Sequence, residues 1–157
     1  MRKTLFCTLL FFLFLQCESL SAFHDDIYQI RVPPELLEEL QDMDNPYPVT
    51  PERIELGKQV FYGKGLCVTC HSNNGMGVKL PGHSPRDFTD KKWQEIRTDG
   101  ELMWILRNGS PGTGMPVRIG KGINEEEGWS VIHFIRTIVK KDDEKRNIIV
   151  RLRTSFI

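Results

Sequence analysis

No stretch of this chain is both apolar and long enough to cross a bilayer. The most hydrophobic run, Leu5 to Leu15, has eleven residues, whereas a spanning helix takes about 20. Net charge is also missing: 21 Lys and Arg balance 21 Asp and Glu, so no global field draws nucleic acid. No alternating strand pattern is found between residues 50 and 140, which points away from β folds. Cysteine is scarce, with four in 157 residues.

The beginning of the chain lowers that cysteine count further. Arg2 and Lys3 precede the apolar run, and the small, polar stretch Glu18-Ser19-Leu20-Ser21-Ala22 follows it. This is the layout of a secretory signal peptide over residues 1–22, with cleavage expected after Ala22 or after Ser21. The mature protein is therefore expected to be exported to the periplasm, with no membrane span. Cys17 ends the run but follows Gln16 rather than a small residue, so a lipid anchor there is not expected. Cleavage removes Cys7 and Cys17 and leaves Cys67 and Cys70. One pair of thiols does not make a disulfide scaffold. The composition of the whole chain, 39% hydrophobic and 27% charged, is ordinary for a soluble globular protein.

Residues 23–49 read as an N-terminal extension. They carry Pro33, Pro34, Pro46 and Pro48 and a run of acids (Glu35, Glu38, Glu39, Asp42, Asp44), with a short helix expected over 34–42. The core domain is expected to cover 50–140. Thr50-Pro51 is a helix start, Thr as cap and Pro at the first position, and Gly63 and Gly65 end that helix after Tyr62. Asp99 is expected to cap a helix through Arg107. A last helix is expected over 124–140, with Trp129, Val131, Ile132, Phe134, Ile135, Ile138 and Val139 on a wide apolar stripe. His133 falls on the other side and reads as a surface residue. Residues 72–92 and 110–123 read as Gly/Pro loops. The charged tail, 141–157, fits a strand, a docking segment or a disordered end.

The two long loops bring too few apolar groups to repay their own ordering. A large apolar cofactor would give them something to pack on. The residues for it are Cys67-Val68-Thr69-Cys70-His71. Thiols three apart with a histidine next fit half a zinc site, a redox disulfide or a covalent haem anchor. Structural zinc needs four ligands, and His24, His83 and His133 stand at no usual spacing to supply them. A redox disulfide ends a strand in a βαβ unit, and no strand pattern is present. Haem attachment explains the spacing: each thiol takes one vinyl group of the ring, and His71 reaches the iron. For the sixth ligand, Met115 in Gly112-Thr113-Gly114-Met115-Pro116 stands apart from any helical stripe. Met103 reads as plain core, Met43 lies in the extension, and Met76 follows His71 too closely to reach the opposite face.

Over residues 50–140 the chain resembles a class I c-type cytochrome, with CVTCH as the attachment motif and GTGMP as the methionine loop. The resemblance implies an all-α fold wrapped around one haem c. It also implies that Gly57 and Phe61 on the first helix meet Val131 and Phe134 on the last. The carbonyl of Pro85, or less directly Pro81, is expected to hold the second nitrogen of His71. Trp93 and Trp104 are expected to touch the ring. Arg118 or Lys121 is a candidate partner for a haem propionate.

The implied function is electron transfer without substrate chemistry, as a soluble carrier or as the cytochrome subunit of a periplasmic oxidoreductase. Methionine as the second axial ligand favours Fe(II) and closes the coordination sphere. The rival reading is a haem sensor or a peroxidase-like enzyme with a displaceable Met115, for which His83 is the one candidate acid/base group. Leu56–Arg86 and Met103–Asn124 contain no acidic residue but hold Lys58, Lys64, Lys79, Arg86, Arg107, Arg118 and Lys121. A redox partner with an acidic docking surface is expected from that segregation.

Overall fold

The computed structural model describes residues 29–78 and 85–154, with side chains through Val139. The expected signal peptide, Cys17, His24, Lys79, Pro81 and His83 lie outside these residues.

The architecture is all helical. A 3-10 turn, Pro34–Leu36, leads into α1 (Leu37–Gln41), then α2 (Pro51–Tyr62), α3 (Val68–His71), α4 (Lys91–Ile96), α5 (Asp99–Asn108) and α6 (Glu125–Thr154). Among the described residues there is no strand, only an isolated bridge between Ile119 and Ile123. No helix among them is long and apolar enough to cross a membrane.

The frame is the crossing of α2 and α6. Thr50 accepts the Arg53 N–H at 3.3 Å and Pro51 occupies the first turn, so α2 begins where the sequence places it. At the crossing, a Cβ on Gly57 would lie 1.9 Å from the Ser130 carbonyl oxygen and 2.9 Å from the Val131 nitrogen. Only glycine permits that approach. One turn on, the rings of Phe61 and Phe134 meet edge to face with centroids 5.3 Å apart, the arrangement the ring quadrupoles favour. Phe61, Val131, Phe134 and Ile135 share a buried cluster with Val60, Phe88, Trp93 and Ile123. A second cluster gathers Met103, Leu106, Trp129 and Ile132. Met103 is fully buried, as a plain core methionine should be.

Several details differ from expectation. Asp99 is not the cap of α5. Thr98 is, in a capping box: its hydroxyl takes the Glu101 N–H and the Glu101 carboxylate takes the Thr98 N–H at 2.8 Å. Within 72–92, read as loop, Asp90 caps the six-residue α4 by accepting from Lys92 and Trp93; a helix of under two turns leaves no periodicity to detect. The last helix does not stop at 140. No Gly or Pro follows Gly128, so nothing breaks the backbone pattern, and α6 continues to Thr154 through the segment where a strand or a disordered end was among the expectations.

His133 is not a surface residue. It is only 5% exposed, because the extension lies over that face of α6. His133 Nε2 sits 3.0 Å from the Tyr47 carbonyl, and Asn45 Nδ2 donates to the Trp129 carbonyl at 3.2 Å. Further back, the Thr98 hydroxyl donates to the Leu40 carbonyl at 3.0 Å. There a Cβ on Gly100 would stand 2.2 Å from that same oxygen. Residues 40–47 are thus packed into the helical body.

The first turn of α6 ties three other parts of the chain to it. Glu125 holds Arg107 of α5 through Nε and Nη2. Glu126 holds Arg53 of α2 at 3.0 Å, and Glu127 holds Lys64 at 2.5 Å in the turn before the cysteines. The same carboxylates sit at the positive end of the helix dipole.

Candidate cofactor site

The cysteine motif is one tight turn. Gly63 and Gly65 end α2, and the Leu66 N–H donates to the Gly63 carbonyl at 2.9 Å. Leu66 takes φ 51° and Ser72 φ 63°, so a left-handed residue brackets the motif at each end. Such residues carry a backbone cost of about 1–2 kcal/mol each, which the surrounding hydrogen bonds must offset. Between them α3 and its N-cap Cys67 bring Cys67, Cys70 and His71, at i, i+3 and i+4, to one side of a single helical turn, the His71 N–H donating to the Cys67 carbonyl at 2.9 Å. Neither sulfur is in a disulfide; Cys67 is half-buried and Cys70 exposed.

His71 is fixed on two sides. Its Nδ1 lies 3.1 Å from the Arg86 carbonyl, so Nδ1 donates and Nε2 is left with its lone pair. Its ring stacks on Phe88, centroids 4.2 Å apart and planes 17° from parallel. Burial holds the imidazole below the usual histidine range, with the Arg86 carbonyl pulling the other way. A neutral, oriented imidazole is what a metal requires of a histidine. Burial also pushes the Cys67 thiol up to about 11, against the pull of the Arg118 guanidinium.

The carbonyl that orients His71 is therefore that of Arg86, one residue beyond the expected Pro85. The Pro85 carbonyl instead packs on Gly77, whose Cβ would come within 2.7 Å of it. The returning chain is held by the Gly77 N–H on the His71 carbonyl, the Val78 N–H on the Cys70 carbonyl and the Phe88 N–H on the Gly75 carbonyl. A backbone oxygen has no signature in side-chain chemistry, so the sequence gives no cue to choose between neighbours. Phe88 and its stack on His71 were likewise not anticipated. Trp93 is 4% exposed and meets Phe88 with centroids 5.5 Å apart, which joins it to His71 through one ring. Trp104 is half-buried on α5.

Met115 lies in a loop closed on itself. Ser110 N–H donates to the Met115 carbonyl at 3.0 Å, and the Thr113 hydroxyl both donates to the Ser110 carbonyl and accepts the Met115 N–H. Gly109 and Gly112 take φ 74° and 77° to turn the chain. The Met115 side chain is half-buried against the cluster of Met103, Leu106, Trp129 and Ile132. Downstream, the Arg118 and Ile119 N–H groups both donate to the Leu106 carbonyl. Arg118 Nη2 reaches the Lys64 carbonyl at 3.4 Å, which ties the methionine loop to the turn before the cysteines. Arg118 Nε is buried with no hydrogen-bond partner among the described residues.

These groups fit a c-type haem: two unpaired thiols on one turn, a neutral histidine with a free Nε2, and a thioether on a separate, pre-shaped loop. They do not fit a protein-only metal site; no cluster of three or more His, Cys, Asp or Glu suited to a metal exists among the described residues.

A comparison with curated proteins gives no match. Among solved structures, a chain of a reducing HAO-like protein complex from Kuenenia stuttgartiensis is similar, with 24% identity and a TM-score of 0.48. That alignment covers 62% of this chain and 49% of the other, so this chain spans only half of its length. Residues 54–138, more than half of the sequence, match the family model of cytochrome c. That span runs from the first turn of α2 through the turn of α6 that carries Ile135 and Ile138, and encloses every group assembled above: the chain belongs to the cytochrome c family.

Proposed function

We propose that this protein is an exported, single-haem electron carrier, or the cytochrome subunit of a periplasmic oxidoreductase, with Cys67 and Cys70 holding the ring and His71 and Met115 holding the iron. The observation that carries the reading is the His71 ring: its Nδ1 is engaged by a backbone carbonyl and its Nε2 is left open beside two free thiols. When bound, haem supplies a one-electron Fe(III)/Fe(II) couple. The chain's own part is to keep that couple from doing other chemistry. Phe88 and Arg86 hold the imidazole at a fixed angle, and the hydrogen bonds of Thr113 hold the methionine loop in shape before and after transfer. The ligands then move little between oxidation states, which suits electron transfer. Arg118 Nε, buried and without a partner among the described residues, supports a role for that guanidinium toward a haem propionate.

The partner reading is narrower than the sequence implied. Lys64 and Arg107, two cations of the acid-free segments, are matched by Glu127 and Glu125, and Lys58 faces Glu55 at 3.3 Å. Lys121 has no ion pair among the described residues. Attraction to an acidic partner therefore rests on fewer charges than the count suggests.

A visible and near-infrared spectrum of the purified protein tests the axial ligands. The reading expects low-spin Fe(III) with a methionine–iron charge-transfer band and slow CO binding to Fe(II). High-spin iron, or fast CO binding, favours the sensor or peroxidase-like alternative and removes Met115 from the resting ligand set.

A further inference from the structure

A cleft of about 530 Å³ lies on the face of α6 covered by the extension, between residues 44–49 and the turns of α2, α5 and α6 that face them. Its walls include neither the cysteine turn nor Met115, and the extension that forms one side lies outside residues 54–138. What it can hold follows from which polar valences the protein leaves unused. Arg136 reaches the cleft but has no donor to spare. Its Nε and Nη2 bind Asp99 Oδ1, Nη1 binds the Gln94 carbonyl and side-chain oxygens, and Nη2 also binds the Arg97 carbonyl. An anion would find no free charge there.

The acceptors, by contrast, are open. Asp99 Oδ2 and both Asp44 oxygens have no hydrogen-bond partner among the described residues, and the Asp44 carboxylate has no ion pair there. His133 commits its Nε2 hydrogen to the Tyr47 carbonyl at 3.0 Å, and its Nδ1 has no hydrogen-bond partner among the described residues. The Thr137 hydroxyl has spent its hydrogen on the Phe134 carbonyl and can only accept. Asn45 is half committed, one Nδ2 hydrogen on the Trp129 carbonyl and Oδ1 on the Tyr47 N–H, which leaves one donor and one acceptor site. The nonpolar walls are Pro48, Val49 and Ile54, with Val49 70% exposed. Two carboxylates against one fully committed guanidinium, beside an apolar wall, favour a cation with an apolar stem over an anion.

We propose that this cleft binds a primary ammonium group on an apolar stem, the head against Asp44, Asp99 and His133 and the stem along Val49 and Ile54. An n-alkylamine and a lysine side chain of a partner protein share that chemistry. A guest there would join the extension to α5 and α6, a face separate from the cysteine turn, so it would be held without blocking the ring.

The test is a titration of the haem-loaded, isotope-labelled protein followed by NMR, with n-butylammonium, the capped peptide acetyl-Gly-Lys-Gly-amide, n-butanol and n-butyrate as probes. Saturable shifts at Asp44, Tyr47, His133 and Thr137 with an ammonium probe, and none with butanol or butyrate, support the site. A preference for butylammonium identifies a free amine as the guest, and a preference for the peptide identifies a lysine side chain. Asp44→Asn should weaken binding about tenfold, the scale of one charged hydrogen bond, and Asp44→Lys should abolish it by supplying the ammonium from within. The haem spectrum of both variants should match that of the parent, because Asp44 has no hydrogen bond to the body of the protein among the described residues. No saturable shift with either ammonium probe, equal binding of butyrate, or full binding by Asp44→Lys would overturn the proposal. Failure here leaves the haem reading untouched, since none of these groups touches it.

Discussion

At the scale of the residue, the site depends on a few atoms whose alternatives have been closed off. His71 is oriented by the carbonyl of Arg86, which takes its Nδ1 hydrogen, and by Phe88, which fixes its plane, as the proposed ligand role requires. Met115 is presented by a loop whose shape comes from Ser110 and Thr113 rather than from the methionine. Replacing Met115 by Ala should therefore leave the loop, and the haem bound through Cys67 and Cys70, in place. It should convert the iron to a high-spin form that binds CO rapidly, read by visible spectroscopy of the reduced protein under CO. An unchanged spectrum would take Met115 out of the ligand role. The side chains proposed for this set were named from the sequence because thiol, imidazole and thioether each declare their chemistry. The Arg86 carbonyl was not, since every residue carries one.

At the scale of the element, α2 and α6 meet through a glycine. In Gly57→Ala the new methyl group would have to occupy space 1.9 Å from the Ser130 carbonyl oxygen. The rigid backbone on the other side cannot yield, so the loss should reach at least the upper end of the ~1–3 kcal/mol usual for overpacking. The denaturant midpoint of the haem-loaded protein measures it; a midpoint equal to the parent's would mean the helices do not cross as closely as described. The α5 capping box offers a milder test. Thr98→Ala removes both the acceptor for the Glu101 N–H and the donor to the Leu40 carbonyl and should cost about 1–2 kcal/mol, seen as a lower midpoint with an unchanged haem spectrum.

These elements differ in how well the sequence announces them. Thr50-Pro51 and the Gly57/Phe61 pair are local signals, and the structure places them as read. The start of α5 was read one residue late, because Asp99 and Thr98 are both capping residues and only the Glu101 side chain decides between them. The short α4 and the run of α6 past residue 140 were missed for opposite reasons. The first is too brief for a period to register. The second is a charged segment with no core pattern, which continues as a helix for want of a breaker.

At the scale of the whole molecule, three glutamates at the start of α6 gather α2, the turn before the cysteines, and α5 around one helix end. Arg118 adds a tie from the methionine loop to Lys64. The two halves of the expected coordination sphere are thereby connected through protein, outside the ring. None of this was legible beforehand. Pairings across 18 to 73 residues leave no trace in local pattern, which is also why His133 was misplaced: its cover comes from Tyr47, at the other end of the chain. Residues 40–47 of the extension, set apart by its prolines and acids, are part of the packed body for the same reason.

The central claim is that this fold holds one haem through Cys67 and Cys70. Mass spectrometry under denaturing conditions measures it directly, on the full 157-residue chain expressed in a host that assembles c-type cytochromes. Covalent haem survives denaturation, so the account predicts the mass of the processed chain plus one haem, and the mass of the bare chain when both cysteines are changed to Ala. A parent chain that emerges without haem would contradict it.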